Sequence, residues 1–313
     1  MRKVVFIDEV HDVLREKLSA KQYTCIDATG LCEEKVREHV KDAFGIVIRS
    51  RFTLDESFLC DATSLRFIAR SGSGTENVDR EYCNKKDIQV FSSPEGNSNA
   101  VAEHALGFTL SLLNNLHRSH QEIKDGKWHR KQNTGKELSS CTVAIIGCGN
   151  NGLSFAKKLS ALGAKVLTYD KYKKIKEPGI TQVPIEGLFE EADIVSFHVP
   201  QTQETMSMGS YSFFSKFKKQ LIVLNICRGK VIDTSGLVQA MKEKKILKAA
   251  LDVLEYETKS FESFFEKPLP EDFVFLKTNS NVILTPHIAG WTTQSYYELS
   301  NVLAVKVIQA FDS

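Results

Sequence analysis

Three apolar runs in the second half of the chain each end in a group able to do chemistry. Leu221-Ile222-Val223-Leu224 leads into Asn225-Ile226-Cys227-Arg228-Gly229, which brings a guanidinium. Residues 247–251 lead into Asp252-Val253-Leu254-Glu255-Tyr256-Glu257, which brings carboxylates, and Val282-Ile283-Leu284 leads into Thr285-Pro286-His287-Ile288-Ala289-Gly290, which brings an imidazole. Together these groups suit a hydride transfer at a 2-keto or 2-hydroxy acid. The planar fork of an arginine holds a carboxylate and polarises a carbonyl. A histidine moves the hydroxyl proton near neutral pH, and a carboxylate beside it favours its charged form and fixes its orientation. A nicotinamide handles the hydride, so no protein nucleophile is needed.

A nicotinamide cofactor requires a place to sit, and Thr142-Val143-Ala144-Ile145-Ile146-Gly147-Cys148-Gly149-Asn150-Asn151-Gly152 offers one. A strand-length apolar run breaks into G-x-G-x-x-G and passes into Leu153-Ser154-Phe155-Ala156-Lys157-Lys158-Leu159, which has helical spacing. Gly147 permits the tight turn, Gly149 lets a pyrophosphate approach the backbone, and Gly152 lets the helix lie close on the strand. The helix N-terminus adds free N–H groups and partial positive charge. The next strand, 165–169, ends in Asp170, roughly twenty residues on, where an acceptor for ribose hydroxyls belongs. G-x-G-x-x-G alone is weak evidence; strand, turn, helix and acid in order are stronger.

These parts need a scaffold of strands ending at one edge. The expected elements are strands at 4–7, 45–49, 65–69 and 88–91, with helices at 10–18, 34–41 and 54–59 among them. Then comes punctuation at Ser92-Ser93-Pro94-Glu95-Gly96-Asn97-Ser98-Asn99. A long helix follows, with Val101, Ala105, Phe108, Leu112 and Leu116 on one stripe and Ser98 or Asn99 as its cap. Six further strands are expected at 142–146, 165–169, 194–197, 221–225, 247–252 and 282–284, the number of a full dinucleotide-binding sheet. Alternating strands and helices mean parallel sheets covered on both faces. The fold class is α/β with two doubly wound parallel-sheet domains: a Rossmann NAD-binding domain over 99–290, and a smaller flavodoxin-like substrate domain over 1–98. In such sheets ligands sit at the carboxyl ends of strands. Arg49, the Ser71–Gly74 loop, Asp170, His198, Arg228, Asp252 and His287 all fall there.

Composition agrees with two globular domains. The chain has 313 residues, 42% of them hydrophobic, and a formal net charge of +2, which argues against binding nucleic acid through bulk charge. Seven scattered cysteines, with no C-x-x-C, suit a reducing cytosol and argue against a disulfide framework or a metal site. No run has transmembrane length, so no membrane partner is expected.

On several motifs in order, the sequence resembles the D-isomer-specific 2-hydroxyacid dehydrogenases over nearly its whole length. They are Arg70-Ser71-Gly72-Ser73-Gly74-Thr75-Glu76-Asn77-Val78-Asp79, the Gly96–Glu103 segment, the glycine turn, His198-Val199-Pro200, Asn225 to Asp233, Leu251 to Glu257 and Thr285 to Gly290. The resemblance implies Arg228, Glu257 and His287 as the catalytic three, with Glu257 rather than Glu255 in the acid position. It implies NAD as cofactor. Asp252 would bind the nicotinamide amide, and Asn150, Asn151, Asp170, Pro200, Thr205, Ile226 and Cys227 would line the rest. Ser73 and Gly74 would hold the substrate carboxylate through backbone N–H groups. It also implies that the last helix, 291–313, completes the first domain, and that two chains pair through the region from Phe108 to Trp128. Leu106, Leu110 and Leu113 add a second apolar stripe to that region.

The sequence departs from the family at Thr258, at Trp291, and in a long segment 259–280 carrying Phe261, Phe264, Phe265, Phe273 and Phe275. With one helix ending the chain, no regulatory domain is expected beyond it. His104, His117, His120 and His129 read as structural or solvated, Cys148 as a small filler, and Lys171, Lys173 and Lys174 either as a solvated run or as lysines that soften discrimination against a 2′-phosphate. Arg49, Arg51 and Arg70 gather in the first domain. A phosphorylated substrate carries roughly two extra negative charges, for which arginines are the natural receptor. The expected reaction is therefore oxidation of 3-phospho-D-glycerate to 3-phosphohydroxypyruvate, as in serine biosynthesis. A hydroxypyruvate or glyoxylate reductase is the enzyme alternative, and an NAD-sensing corepressor-like binding protein the alternative of another class.

Overall fold

The structure, a computed structural model, describes residues 2–257 and 268–312. It divides into two compact units, residues 2–98 with 291–312, and residues 99–257 with 268–290. Thr258, Phe261, Phe264 and Phe265, singled out above, lie outside the described residues.

The first unit runs β1 (Arg2–Phe6), α1 (Val13–Ala20), β2 (Tyr23–Asp27), α2 (Glu33–Val40), β3 (Gly45–Ile48), α3 (Glu56–Leu59), β4 (Phe67–Arg70), α4 (Arg80–Lys85) and β5 (Gln89–Ser92). The described strands pair in parallel, in the order β2-β1-β3-β4-β5. This is the doubly wound flavodoxin order. Strand β2 was not expected from the sequence. Tyr-Thr-Cys-Ile-Asp is a half-buried edge strand and lacks the continuous apolar run of a strand covered on both faces.

The second unit runs α5 (Ser98–Leu113), α6 (Leu116–Lys124), β6 (Thr142–Ile146), α7 (Asn150–Ala161), β7 (Lys165–Tyr169), β8 (Ile180–Gln182), α8 (Ile185–Glu191), β9 (Ile194–Phe197), α9 (Tyr211–Phe214), β10 (Leu221–Asn225), α10 (Thr234–Lys242), β11 (Ile246–Leu251), α11 (Glu271–Thr278) and β12 (Val282–Leu284). Its order, β12-β11-β10-β9-β6-β7-β8, is parallel throughout. This is the Rossmann arrangement, with the sheet turning back at β6 beside β9. It has seven described strands rather than six. The unexpected one, β8, is a three-residue edge strand with one buried side chain, too short to announce itself. Every residue of β6 is buried, as a central parallel strand requires.

The helix expected to carry its stripe through to Leu116 instead stops at Leu113, and a new one starts at Leu116. Asn115 takes a left-handed conformation, with φ 53°. Lys248 on β11 donates to both Leu112 O and Asn115 Oδ1 at 2.6 Å, which supplies cationic capping to the carbonyl end of α5. Leu116 is consequently exposed rather than part of the buried stripe. Ser98 and Asn99 lie inside the first turn rather than capping it; Ser98 Oγ donates to Glu95 O.

The closing helix α12 (Thr293–Phe311) belongs to the first unit. Thr292 and Ser295 form a capping box at its start. Its Leu303, Ala304 and Val307 are buried with Phe6, Leu14, Phe67 and Ala69 on one face of the five-stranded sheet. Among the described residues no helix is long and apolar enough to cross a membrane.

Candidate active site

The glycine turn closes as its residue types require. Gly147 has φ +88°, and a Cβ on Gly152 would sit 2.0 Å from Gly147 O, so neither position accepts a side chain. A Cβ on Gly149 would meet no atom of the described residues within 4 Å, which leaves open space above the N-terminus of α7. Asn150 opens that helix, and the side-chain oxygen of Asn151 is buried with no hydrogen-bond partner among the described residues. An open approach over free helix N–H groups, beside an uncommitted buried acceptor, fits a bound dinucleotide.

Asp170 stands beside this turn at the end of β7. Its Oδ2 accepts from Cys148 N at 2.7 Å, and its Oδ1 accepts from Tyr172 N and Lys173 N at 2.9 and 2.8 Å. Burial works against its charge, but the three backbone donors outweigh it and hold the carboxyl below its ordinary range. Lys171, in the basic run after it, is paired with Glu204 at 2.6 Å. Behind the turn, His198 Nε2 lies 2.8 Å from Ser196 Oγ, and burial pushes the imidazole down to about 3. This ring is neutral and structural. The loop after it is tied by Thr205, whose Oγ1 accepts from Thr202 N and donates to Pro200 O.

Arg228 follows β10. Asn225 Nδ2 donates to Arg228 O, and Asn225 Oδ1 accepts from Cys227 N, so the strand's last residue shapes the loop. Ile226 and Cys227 are buried beneath it. A Cβ on Gly229 would lie 1.9 Å from Leu254 O, so this loop touches the one leading to Glu257 backbone to backbone. Glu257 Oε1 accepts from Leu254 N, and its Oε2 lies 2.8 Å from His287 Nδ1. Glu255 is engaged elsewhere, accepting from Thr234 N at the start of α10.

Asp252, 1% exposed, reaches the same turn. Its Oδ1 accepts from Thr285 Oγ1 and Ile288 N, its Oδ2 from Ala289 N, and its carbonyl from His287 N. These bonds give it a positioning role that the sequence did not disclose, because the donors lie more than thirty residues away along the chain. His104 joins them: its Nε2 is 3.3 Å from Thr285 Oγ1 and 3.7 Å from Asp252 Oδ1. Helical phase on α5 gave no sign of that. Among the described residues no group of His, Cys, Asp and Glu side chains is placed to hold a metal ion.

In the first unit the arginines differ. Arg51 Nη1 donates to Ile7 O at 3.1 Å and to Thr29 O, and its Nη2 donates to Leu31 O at 2.6 Å. Its fork thus clasps carbonyls after β1 and β2, and the expected role as a phosphate receptor is not what the geometry shows. Arg70 Nη1 lies over Gly72, where a Cβ would meet it at 1.7 Å. Ser73 Oγ donates to Asn97 Oδ1 at 2.7 Å, and Ser73 and Gly74 are half-buried in the loop after β4. Arg49 stacks its guanidinium over Trp291, 4.5 Å from the ring centroid.

A Rossmann sheet with an open glycine turn, and an imidazole–carboxylate pair beside an arginine loop, defines a dinucleotide-dependent α/β protein. The chain belongs to the D-isomer specific 2-hydroxyacid dehydrogenases, whose NAD-binding domain model matches residues 106–289. It is 34% identical over 284 residues to D-3-phosphoglycerate dehydrogenase of Methanocaldococcus jannaschii, covering 90% of this chain and 52% of that protein. It is 30% identical over 292 residues to hydroxypyruvate reductase of Thermotoga maritima, covering 93% and 92%. Among solved structures, Aquifex aeolicus D-lactate dehydrogenase complexed with NAD and lactic acid superposes with TM-score 0.83 at 29% identity, over 99% and 95% of the two chains. The chain spans about half the length of the phosphoglycerate dehydrogenases it matches.

Proposed function

We propose that the protein is an NAD-dependent oxidoreductase acting on a D-2-hydroxy acid, and that this acid is 3-phospho-D-glycerate, oxidised to 3-phosphohydroxypyruvate. The observation that carries the reaction is the 2.8 Å contact between His287 Nδ1 and Glu257 Oε2, in the unit that holds the glycine turn. Glu257 receives Nδ1–H and so presents Nε2 as the nitrogen that takes the substrate hydroxyl proton. Arg228 holds the carboxylate and polarises the C2 oxygen. Asp252 keeps the histidine turn in shape. Held over the glycine turn at the N-terminus of α7, NAD would supply the hydride acceptor. Ser73 and Gly74 offer backbone donors to the carboxylate. The phosphate reading rests on Arg49, whose guanidinium makes no hydrogen bond or ion pair among the described residues.

A second reading, reduction of hydroxypyruvate or glyoxylate, is favoured by the engagement of Arg51 with backbone carbonyls, which removes one anion receptor. Steady-state kinetics with 3-phosphohydroxypyruvate, hydroxypyruvate and glyoxylate separates them. A higher kcat/KM for the phosphorylated acid is expected; a preference for hydroxypyruvate selects the second reading. No turnover with any of them, despite NADH binding, favours a corepressor-like role.

We also propose a homodimer. Leu106 and Leu110 lie against the core of the second unit and Leu113 is buried in it, so that stripe is satisfied within the chain. The surplus apolar surface is further on, at Leu116, Ile123 and Trp128, which are 55%, 52% and 75% exposed. A second copy of the chain would cover them. Light scattering at micromolar concentration should give twice the chain mass.

A further inference from the structure

Arg49 is fixed at its root, and its tip makes no hydrogen bond or ion pair among the described residues. Asp8 Oδ2 accepts the backbone N–H groups of Arg49, Ser50 and Arg51 at 2.6, 2.9 and 3.1 Å, and Asn77 Nδ2 donates to Arg49 O at 3.3 Å. The residue therefore leaves β3 in one direction. Its guanidinium then lies over two aromatic rings, Trp291 at 4.5 Å and Tyr296 at 6.0 Å from their centroids. Tyr296 is itself braced by the edge of the His11 ring, 5.7 Å away. Trp291 precedes the Thr292 cap of α12 and is 67% exposed, so its indole is not held by burial. Among the described residues its aromatic or polar contact is Arg49.

A large aromatic side chain left mostly in water loses hydrophobic stabilisation, and a guanidinium with unused donors is free to wander. Stacking the two addresses both: the indole face attracts the cation, and the in-plane N–H donors stay available to an anion. Arg51, two residues on, shows the contrast, since its fork is occupied by carbonyls.

We propose that Trp291 is a specificity-positioning residue: its indole face holds the Arg49 guanidinium ready for an anionic group of the substrate, a phosphate ester or a carboxylate. This deepens the oxidoreductase reading above and rests on it. Trp291 touches no reacting atom and acts through Arg49. A 2-keto acid with no second anion has no use for the pair.

The test is a ratio. In Trp291→Leu, kcat/KM for 3-phosphohydroxypyruvate divided by that for hydroxypyruvate should fall about tenfold, through KM rather than kcat. Trp291→Phe, which keeps a ring face, should recover most of it. Oxaloacetate run in parallel replaces the phosphate by a carboxylate. A fall confined to one of these two acids names the group the pair serves. Unchanged ratios for both acids, or equal losses on all three substrates, would overturn the proposal. A binding arm needs no turnover. The chain has two tryptophans, so Trp128→Phe leaves Trp291 as the sole indole. Titration with 3-phosphoglycerate or inorganic phosphate should change its emission, and adding Arg49→Ala should abolish the change. If no keto acid is reduced but this response is present, the enzyme reading fails and the anion site stands. If turnover is normal and the response is missing, the anion site fails alone.

Discussion

The main-chain N–H of His287 donates to the carbonyl oxygen of Asp252 at 2.7 Å, while the carboxylate of Asp252 takes the N–H groups of Ile288 and Ala289 at 2.8 Å each. One buried residue thereby defines the turn that carries the imidazole. The turn needs such a hold, because His287 sits at φ +56°, a left-handed conformation that costs a non-glycine residue about 1 kcal/mol or more.

Two routes to inactivity follow, and they differ in stability. His287→Ala should lose about two to four orders of magnitude in kcat while keeping NADH affinity and melting temperature near wild type. Asp252→Ala leaves buried donors unmatched at about 1–3 kcal/mol each, so it should lose both activity and several degrees of Tm. Glu257→Gln should be milder than His287→Ala, since an amide oxygen still accepts from Nδ1–H while the charge is gone. Near-wild-type kcat in His287→Ala would sink the assignment. Wild-type Tm in Asp252→Ala would remove the positioning role.

What the sequence disclosed and what it hid follow from the same physics. β6 reads clearly because both its faces are covered, so Val143 to Ile146 are all apolar, and the glycines after it have no alternative. β2 and β8 are edge strands covered less fully, and their residues carry no comparable run. The break after Leu113 depends on Lys248, more than a hundred residues away. Arg51 and Asp252 were noticed by residue type at strand ends, but type says nothing of partners. One turned out to hold backbone carbonyls and the other a distant turn.

Gly149 and Gly152 should behave differently although they share a motif. A Cβ at Gly152 collides with Gly147 O, so Gly152→Ala should lower stability and abolish NADH binding together. A Cβ at Gly149 meets no atom of the described residues within 4 Å and intrudes where a pyrophosphate approaches. Gly149→Ala should therefore melt like wild type and bind NADH at least tenfold more weakly, a difference of about 1.4 kcal/mol. Isothermal titration beside calorimetric Tm decides it; unimpaired NADH affinity in Gly149→Ala would place the phosphates elsewhere.

Asp170 both shapes the cofactor turn and carries charge toward it. Because three backbone donors keep the carboxyl below its ordinary range despite burial, it is ionised throughout the neutral range and should repel a 2′-phosphate. NAD is expected over NADP. Asp170→Asn keeps acceptor oxygen for part of the N–H set and removes the charge, so it should narrow the NAD/NADP ratio with less thermal destabilisation than Asp170→Ala. The measurement is kcat/KM for NADH and NADPH at subsaturating concentration. Faster wild-type turnover with NADPH would contradict the role given to the carboxylate.

The cysteines at the cofactor turn and beside Arg228 should be chemically silent. Burial pushes the thiols of Cys148 and Cys227 up to about 11. Near pH 8 only about one molecule in a thousand would carry the reactive thiolate at either site, before access is considered. Cys32 and Cys60 are exposed by comparison. Iodoacetamide at pH 7.5 should accordingly label Cys32 and Cys60 first, as read by peptide mass spectrometry. NADH binding should persist until the protein is unfolded, when Cys148 and Cys227 become labelled too. Early alkylation of Cys227 with parallel loss of activity would instead reveal a thiol accessible and acidic enough to regulate the Arg228 loop.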